Sequence, residues 1–346
     1  MRYKLLGRSG LKVSELCLGT MTFGQDWGDW GSNEDESRKV YDKFIEAGGN
    51  FVDTANLYTR GTSEKMLGKF IAPNRDKIVV ATKYTNSEPA GDPNCAGNSR
   101  KNLTQSLDAS LKRLNTDYID LYWIHIWDFL TPIEEVMRAL DDAVRAGKVL
   151  YVGISDAPAW VVSRANMLAE LKGWTPFTAL QIEYSLIERT PERELMPMAR
   201  ELGIAVTPWG PLAGGVLTGK YLGKNGDSKE GRYNHEMLKP MFEHTDRKDL
   251  IAKEVLNIAK ELKCTAAQVS LAWLRQQPGT VIPIIGAKKV AQLEDNLGCL
   301  NVHLTDDQMA KLNKVSEIEL GFPGSFYASD MVKTFMYGGM RDLIDA

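Results

Sequence analysis

Short apolar segments alternate with amphipathic helical patterns along this chain of 346 residues, and the alternation constrains its fold more than any other feature. The apolar segments are mostly continuous and are bounded by Gly, Pro, Asp or Asn. Such segments are typical of strands that are buried on both faces of a parallel sheet. Eight strands are predicted, at Leu16–Gly19, Phe51–Asp53, Ile78–Lys83, Ile119–His125, Tyr151–Ile154, Ala179–Glu183, Ile204–Pro208 and Val281–Ile285.

Helical patterns separate these predicted strands. The clearest helices are predicted at Glu34–Ala47, Asn102–Leu114, Pro132–Ala146, Pro158–Leu171 and Thr265–Gln277. Pro132 and Pro158 suit a first helical position, and Gly48 suits a helix C-cap. Eight strands that alternate with helices favour an α/β fold, a (β/α)8 TIM barrel formed as one domain by residues 1–346. The pattern alone leaves a doubly wound sheet open.

Two segments do not follow the repeat. Residues 3–16 are predicted to form an N-terminal β-hairpin with its turn at Arg8, Ser9 and Gly10, and this hairpin would close the bottom of a barrel. Residues 217–246 form a long polar connection after the seventh strand. In a barrel such long loops lie on the C-terminal face, where a lid is expected.

Composition excludes several classes of protein. The 42 basic and 45 acidic side chains are well mixed, so neither a nucleic-acid footprint nor a polybasic membrane patch is expected. The four cysteines show no zinc or CxxC spacing, which is typical of reduced cytoplasmic thiols. The N-terminus lacks an apolar signal-peptide core, and no apolar run approaches about 20 residues. A cytoplasmic location is therefore expected.

Polar residues stand where several predicted strands end, which is where barrel enzymes place their chemistry. The second strand ends at Asp53, with Tyr58 five residues later, the third ends at Lys83 and the fourth at His125. A single such residue often only caps the next helix, but this combination indicates a site. Asp53 is expected to keep Lys83 charged, and this charge is expected to lower the pKa of Tyr58 toward neutrality. His125 would polarise the same oxygen.

This set of side chains suits the protonation of an oxyanion. No Ser or Cys stands beside a His as a nucleophile would. The remaining histidines, His235, His244 and His303, are scattered through predicted loops and a surface segment. No metal site is therefore predicted.

Two segments are candidates for binding phosphate. Gly286 leads from the eighth strand directly into a helix, whose N-terminus offers free N–H groups, and Lys288 and Lys289 add positive charge. A solvated lysine pair is the simpler alternative. The glycine-rich residues 208–221 suit a pyrophosphate, but Tyr221 replaces the Ser or Thr of a P-loop, so a P-loop is rejected. No GxGxxG follows a strand, so a Rossmann site is not supported.

The chain resembles the aldo-keto reductases over nearly its whole length. The segments FVDTANLY and ATKY and the strand ending at His125 match that family's Asp, Tyr, Lys and His tetrad in order and setting. Its nicotinamide-cofactor segments are matched by GISDAPAW, LQIEYSL, TPWGPLAGGVLTGKY and GAKKVAQLEDN. The aryl-alcohol dehydrogenase-like subgroup is the most similar.

The resemblance implies roles for individual residues. Tyr58 would be the general acid, Lys83 and Asp53 would tune it, and His125 would orient the substrate. Residues implied to bind NADP are Thr20, Asp53, Ser155, Asp156, Gln181, Trp209, Gly210, Pro211, Leu212, Gly214, Leu217, Lys220, Gly286, Lys288, Gln292 and Asn296. Many members have Asn where this chain has Asp156. An ionised Asp accepts a hydrogen bond from the carboxamide but cannot donate one to it.

The function implied is NADPH-dependent reduction of aldehydes or ketones, and aromatic aldehydes are the expected small-molecule substrates. Trp30 and Trp127, with Tyr58 and His125, are predicted to contact the substrate, although loop packing is an equally simple role for the tryptophans. Trp27 lies in the same loop as Trp30. The alternatives left open are a regulatory cofactor-binding subunit on the same fold and an unrelated barrel enzyme such as an isomerase.

Overall fold

Eight parallel strands close into a barrel in the computed structural model, which describes residues 1–28, 31–88, 91–222 and 245–344. The barrel strands are β3 (Cys17–Gly19), β4 (Phe51–Asp53), β5 (Val79–Tyr84), β6 (Ile119–Ile124), β7 (Val149–Ser155), β8 (Phe177–Glu183), β9 (Ala205–Trp209) and β10 (Ile284–Gly286). Neighbours pair in chain order, and β10 pairs with β3.

Hydrogen bonds to Val206 complete the closure. The Val206 N–H donates to the Thr280 carbonyl at 2.8 Å, and the Ile282 N–H donates to the Val206 carbonyl at 2.9 Å. These bonds join β9 to the segment that leads into β10. The (β/α)8 barrel predicted from the sequence is thereby confirmed, and the doubly wound sheet is excluded.

Helices surround the barrel, and all but the two C-terminal ones bury several side chains each or pack closely against it. They are α1 (Glu34–Glu46), α2 (Thr62–Ile71), α3 (Arg100–Leu114), α4 (Ile133–Arg145), α5 (Ala159–Lys172), α6 (Leu195–Glu201), α7 (Asp246–Leu262), α8 (Ala266–Arg275), α9 (Val290–Leu297), α10 (Asp306–Val315), α11 (Gly324–Ala328) and α12 (Asp330–Met336). None of these described helices is both long and apolar enough to cross a membrane.

The predicted helices are present, with small differences at their ends. Pro132 and Pro158 were expected at the first helical position, but each has an extended ψ and stands one residue earlier, as the N-cap. The α3 helix begins before the predicted Asn102, because the Ser99 hydroxyl accepts the Asn102 N–H and caps the helix. Gly48 follows α1 with a φ of 85°, as a C-cap requires.

The N-terminal hairpin closes the bottom of the barrel, as predicted. Its strands are β1 (Tyr3–Leu5) and β2 (Lys12–Ser14), which pair antiparallel. Leu6 and Val13 are fully buried in the hydrophobic cluster that fills the barrel interior, together with Trp123. The hairpin therefore contributes two fully buried side chains to the inner core, and Leu11 packs against the same cluster.

The long connection after β9 is described only in part. Residues 213–218 form a short 3-10 helix, and α7 begins at Asp246. The predicted lid, residues 217–246, falls mostly on residues 223–244, which lie outside the described residues. The lid therefore stays a prediction.

Gly7 tests whether the hairpin contributes to stability. Its φ is +58°, and a Cβ added there would lie 2.2 Å from the Thr178 carbonyl oxygen. We expect Gly7→Val to lower the free energy of unfolding by at least about 2 kcal/mol, because strained backbone and steric overlap combine. Urea denaturation measures this change. The control is Gly10→Ala, since a Cβ at Gly10 meets nothing within 4 Å. Equal stability of both variants would show that the hairpin is loosely held.

Candidate active site

The carboxyl ends of β4, β5 and β6 bring together the four residues predicted to be catalytic. Asp53 is the last residue of β4, Lys83 is the penultimate residue of β5, and His125 directly follows β6. Tyr58 begins the turn after β4. Because parallel strands end on the same rim of a barrel, residues far apart in sequence become neighbours there.

A tight turn holds Tyr58 in place. Thr59 and Arg60 have positive φ angles of 46° and 56°. The fully buried Thr59 hydroxyl donates to the Phe23 carbonyl at 2.6 Å and accepts the Ser63 N–H at 3.0 Å. These two bonds attach the turn to the loop after β3 and to the start of α2.

Lys83 and Asp53 form a buried ion pair in which the polar atoms are fully partnered. The Lys83 ammonium donates to Asp53 Oδ2, to the Thr54 carbonyl at 2.7 Å and to Tyr58 Oη at 3.2 Å. The second Asp53 oxygen accepts a hydrogen bond from Gln181 Nε2 at 3.1 Å. The side chains of Lys83 and Asp53 are 0% and 3% exposed. Since Tyr58 Oη accepts from Lys83, its own proton remains available to another acceptor.

Burial and charge act in opposite directions at this pair. Burial disfavours the charged form of Lys83, but Asp53 raises the pKa of Lys83 above its usual value, so the lysine is charged. Burial also raises the pKa of Tyr58, and Lys83 opposes that shift without cancelling it. The predicted lowering of the Tyr58 pKa is therefore wrong for this structure, because desolvation outweighs the cation. Tyr58 keeps its proton at neutral pH.

His125 is a neutral imidazole in this environment. Burial, with a smaller effect of Lys83, lowers its pKa from 6.5 to about 3. Its ring meets the Tyr58 ring edge-on, with centroids 5.8 Å apart. Nδ1 is buried and has no hydrogen-bond partner among the described residues. A neutral imidazole can still donate one N–H to a substrate oxygen.

Residues predicted to hold the nicotinamide carboxamide line the same rim. Ser155, at the end of β7, is 1% exposed. Its hydroxyl makes no hydrogen bond of normal geometry in the part of the chain that the structure describes, although it lies near enough to the Asp156 carboxylate to oppose the burial that raises the pKa of Asp156. The Trp209 indole N–H donates to Asp156 Oδ1 at 3.0 Å, and Asp156 has a φ of 43°. A buried hydroxyl without a partner is costly unless a ligand supplies one. This orphaned group fits a polar cofactor at this position.

The predicted pyrophosphate residues lie together in the loop after β9. Positive φ angles at Gly210, Gly214 and Gly219 let this loop fold back on itself. Lys220 is exposed, whereas Leu217 is fully buried and contributes to the core. Pro211 and Leu212 continue the same loop, between Gly210 and the short 3-10 helix. The structure therefore groups these residues, and any contact of Leu217 with a cofactor would come from its backbone.

The region predicted for the adenosine end differs in detail from expectation. The sequence predicted a helix that begins directly after Gly286 and so includes Lys288, but α9 begins at Val290 with Lys289 as its N-cap, so Lys288 precedes the helix. Gln292 Oε1 accepts the Lys288 N–H at 2.8 Å. Asn296 is 4% exposed, and its Nδ2 lies 3.4 Å from the Gly286 carbonyl. In this structure Gln292 and Asn296 brace the turn that precedes α9.

Thr20 is also engaged within the protein. It is fully buried, and its hydroxyl contacts the Asp53 carbonyl at 3.1 Å and the Ser63 hydroxyl at 2.8 Å. A contact between Thr20 and a cofactor stays a prediction. The geometry gives Thr20 a structural link from β3 to β4.

The aromatic residues predicted at the mouth separate into different positions. Trp30 lies outside the described residues. Trp127 is 6% exposed, belongs to the outer hydrophobic core, and lines a hollow with Phe129 and Trp160. Trp27 approaches Tyr58, with ring centroids 6.4 Å apart. The sequence feature that pointed to Trp27 as a residue near the site was its place in the loop after the first barrel strand.

The fold and this arrangement define a TIM-barrel enzyme with a polar site on the C-terminal face of the barrel. A sequence profile described as the Aldo/keto reductase family matches residues 15–317. The chain belongs to this family, as its sequence motifs predicted, and the family uses a nicotinamide cofactor.

Individual relatives support the aryl-alcohol dehydrogenase-like subgroup. The chain is 40% identical over 342 residues to a norsolorinic acid reductase of Emericella nidulans. This alignment covers 93% of this chain and 85% of the relative. It is 38% identical over 330 residues to an aryl-alcohol dehydrogenase [NADP(+)] of Phanerodontia chrysosporium, and this alignment covers 91% of this chain and 85% of the relative. It is also 38% identical over 342 residues to an oxidoreductase of Bacillus subtilis, and this alignment covers 94% of this chain and 97% of the relative.

Lys83→Met tests the buried ion pair. The substitution preserves the length of the side chain but leaves the Asp53 carboxylate without its cation, which should cost about 3–5 kcal/mol of unfolding free energy. Urea denaturation at neutral pH measures the loss. The control is Lys69→Met, because Lys69 pairs with Glu34 at the surface, where such pairs contribute about 0–1 kcal/mol. If both variants lost the same small amount, the Lys83 pair would be incidental to stability.

Proposed function

We propose that this protein is an NADP-dependent oxidoreductase that reduces aldehydes or ketones to alcohols, with aromatic aldehydes as preferred substrates. The observation that carries the proposal is the 3.2 Å hydrogen bond from the buried, charged Lys83 to Tyr58 Oη. It places a protonated phenol beside a cation on the rim of the barrel. Similarity to a relative named aryl-alcohol dehydrogenase [NADP(+)] supports the cofactor and the substrate class.

In this proposal Tyr58 is the proton donor. NADPH, when bound, supplies a hydride to the carbonyl carbon. Tyr58 gives its proton to the carbonyl oxygen, so that a neutral alcohol forms. The raised pKa of Tyr58 means that the phenol is fully protonated before the reaction. A general acid of this kind contributes roughly 10²–10⁴-fold to the rate.

Lys83 and Asp53 act on the product of that proton transfer. Once Tyr58 has lost its proton, its negative oxygen lies beside the Lys83 ammonium. The attraction is strong because the site is buried and the charges are already oriented. Asp53 keeps Lys83 protonated and fixes its position. The ion pair therefore lowers the cost of forming the phenolate.

His125 orients the carbonyl oxygen in this scheme. Its imidazole is neutral at any physiological pH, since its pKa is about 3. A neutral imidazole donates a hydrogen bond to the substrate oxygen without competing with Tyr58 to supply the proton. Two donors, Tyr58 and His125, thus converge on one oxygen.

The cofactor is proposed to lie across the carboxyl ends of β7 to β10. Ser155, Asp156 and Gln181 would hold the carboxamide, with Trp209 beside the nicotinamide ring. Since Asp156 cannot donate when ionised, the Ser155 hydroxyl is the natural donor to the carboxamide oxygen. The pyrophosphate would follow the loop of residues 210–220. The adenosine end would lie near residues 286–296, and Thr20 stays in the proposed set.

Aromatic substrates are proposed because an aromatic side chain adjoins the proton donor. Trp27 lies edge-on to Tyr58 at 6.4 Å, so a flat substrate at Tyr58 would meet an apolar surface. Contacts from Trp30 and Trp127 stay predictions, and the packing of Trp127 favours a role in its own loop. A cytoplasmic location is also proposed, in keeping with four unpaired cysteines.

Tyr58→Phe tests the proton donor. We expect kcat for the reduction of 4-nitrobenzaldehyde to fall by roughly 10²–10⁴-fold, because the variant has no proton to give. NADPH affinity, measured by quenching of tryptophan fluorescence, should stay within about twofold of wild type. The control, Tyr3→Phe, removes a hydroxyl that bonds the Gly48 carbonyl at the opposite end of the barrel, and it should keep full activity. A Tyr58→Phe enzyme with more than about a third of wild-type kcat would rule out this role.

Lys288→Ala tests the preference for NADPH over NADH. Lys288 is half-buried beside Gly286, and no acidic residue stands nearby in the segment Gly286–Lys289 to repel a 2′-phosphate. A charge-assisted hydrogen bond is worth roughly 1.5–3 kcal/mol. We therefore expect the Kd for NADPH to rise about tenfold or more and that for NADH to stay nearly unchanged.

The matched control for this test is Lys289→Ala, because Lys289 is the exposed neighbour and N-cap of α9. Titration of each variant with both cofactors gives the four constants that are needed. Equal weakening of NADPH and NADH binding, or a larger effect from Lys289→Ala, would assign the 2′-phosphate contact elsewhere.

A further inference from the structure

A fully buried amide, Asn98, connects the chain on both sides of the candidate catalytic histidine. Asn98 is 0% exposed. Its Nδ2 donates to Thr85 Oγ1 at 2.9 Å and to the Ile126 carbonyl at 3.0 Å, while its Oδ1 accepts the Asp128 N–H at 2.7 Å. Two of these partners, Ile126 and Asp128, follow His125 within three residues. The third, Thr85, lies in the loop after β5.

Thr85 carries the connection back to His125 itself. The His125 N–H is shared between the Thr85 hydroxyl and the Tyr84 carbonyl, each at 3.3 Å, and the Thr85 carbonyl accepts the Gly97 N–H at 2.9 Å. Thr85 has a φ of 92°, which a β-branched residue rarely adopts. A backbone outlier of this kind persists only where surrounding contacts impose it, and such outliers concentrate at functional sites.

Asp128 completes the network from the other side. Its Oδ2 accepts the Asn98 N–H at 2.6 Å and the Thr131 hydroxyl at 2.7 Å, and its Oδ1 accepts the N–H groups of Leu130 and Thr131 at 2.9 Å. Burial opposes the charge, but these donors hold the pKa of Asp128 below its usual value. The carboxylate is therefore ionised at neutral pH and holds both loops. We refer to Thr85, Asn98 and Asp128 as the Asn98 network.

The His125 ring lacks one of the anchors that usually orient an imidazole. Its Nδ1 has no hydrogen-bond partner in the described part of the chain. Without a partner at Nδ1, the position of the ring depends on its backbone and on packing against Tyr58. The Asn98 network holds that backbone mainly through Ile126 and Asp128, and it shares the His125 N–H with the Tyr84 carbonyl.

We infer that Asn98 is a positioning residue for catalysis, which fixes the His125 backbone so that the imidazole meets the substrate oxygen beside Tyr58. The inference rests on the proposed function, in which His125 donates to that oxygen. Displacement of a catalytic group by about 1 Å can cost on the order of 10²-fold in rate. Asn98 touches neither the substrate nor the cofactor in this account, so it acts only through His125.

A double-mutant cycle tests this dependence. Asn98→Ala alone should lower kcat for the reduction of 4-nitrobenzaldehyde at least about tenfold, with the Kd for NADPH within about twofold of wild type. In a His125→Ala background the same substitution should change kcat less than about twofold, because the group that Asn98 positions is already absent.

The matched control is Asn166→Ala. Asn166 also makes two side-chain hydrogen bonds to backbone, with the Phe177 N–H and carbonyl at 2.9 and 3.1 Å, but it joins α5 to β8 away from the site. It should lose stability and keep wild-type kcat.

If Asn98→Ala does not fold, Thr85→Val and Thr85→Ser replace it. Loss of the hydroxyl should lower kcat, and serine should restore it.

Three results would overturn the inference. The first is an Asn98→Ala enzyme, or in its place a Thr85→Val enzyme, with wild-type kcat. The second is a kcat loss that is just as large in the His125→Ala background, since Asn98 would then act independently of His125. The third is a His125→Ala enzyme with full activity, which would refute the proposed role of His125 and this inference with it. A loss confined to the Tyr58→Phe and His125→Ala enzymes would leave the proposed function intact and refute only the role of Asn98.

Discussion

Lys83 and Asp53 form an ion pair inside the barrel, with side chains 0% and 3% exposed, and the arrangement of the site depends on it. A buried pair of charges is tolerated only when its remaining polar atoms are also satisfied. Here the Thr54 carbonyl, Tyr58 Oη and the Gln181 amide supply those partners. Lys83 is thereby fixed as a cation beside the Tyr58 oxygen.

The barrel makes this arrangement possible because its strands end together. The loops at this rim add two further constraints. The Thr59 turn after β4 holds Tyr58, and the Asn98 network, which joins the loops after β5 and β6, holds the backbone around His125. At the other end, the hairpin with Leu6 and Val13 fills the interior and closes it. The site therefore lies on a barrel whose opposite end is packed with apolar side chains.

The fold and the grouping of Asp53, Tyr58, Lys83 and His125 could be predicted, because the alternation of apolar strands with helices and the polar residues near the strand ends are local signals. The shift in the pKa of Tyr58 could not be predicted, since the direction of that shift depends on how deeply the hydroxyl is buried. The N-cap at Lys289, which places Lys288 before α9, depends on the Gln292 side chain folding back. The role of Asn98 could not be predicted from the sequence, because two of its side-chain partners are backbone groups about 30 residues away and the third is the Thr85 hydroxyl.

The central claim is that a protonated Tyr58 and a neutral His125 act together beside a charged Lys83. The most direct test is the pH dependence of kcat/KM for the reduction of 4-nitrobenzaldehyde at saturating NADPH. Burial keeps the pKa of Tyr58 above its usual value of 10 and that of His125 at about 3. We predict a profile that stays flat from about pH 6 to about pH 9, where neither group changes its protonation. A loss of activity with a midpoint near pH 7 that disappears in the Tyr58→Phe or His125→Ala enzyme would contradict the account.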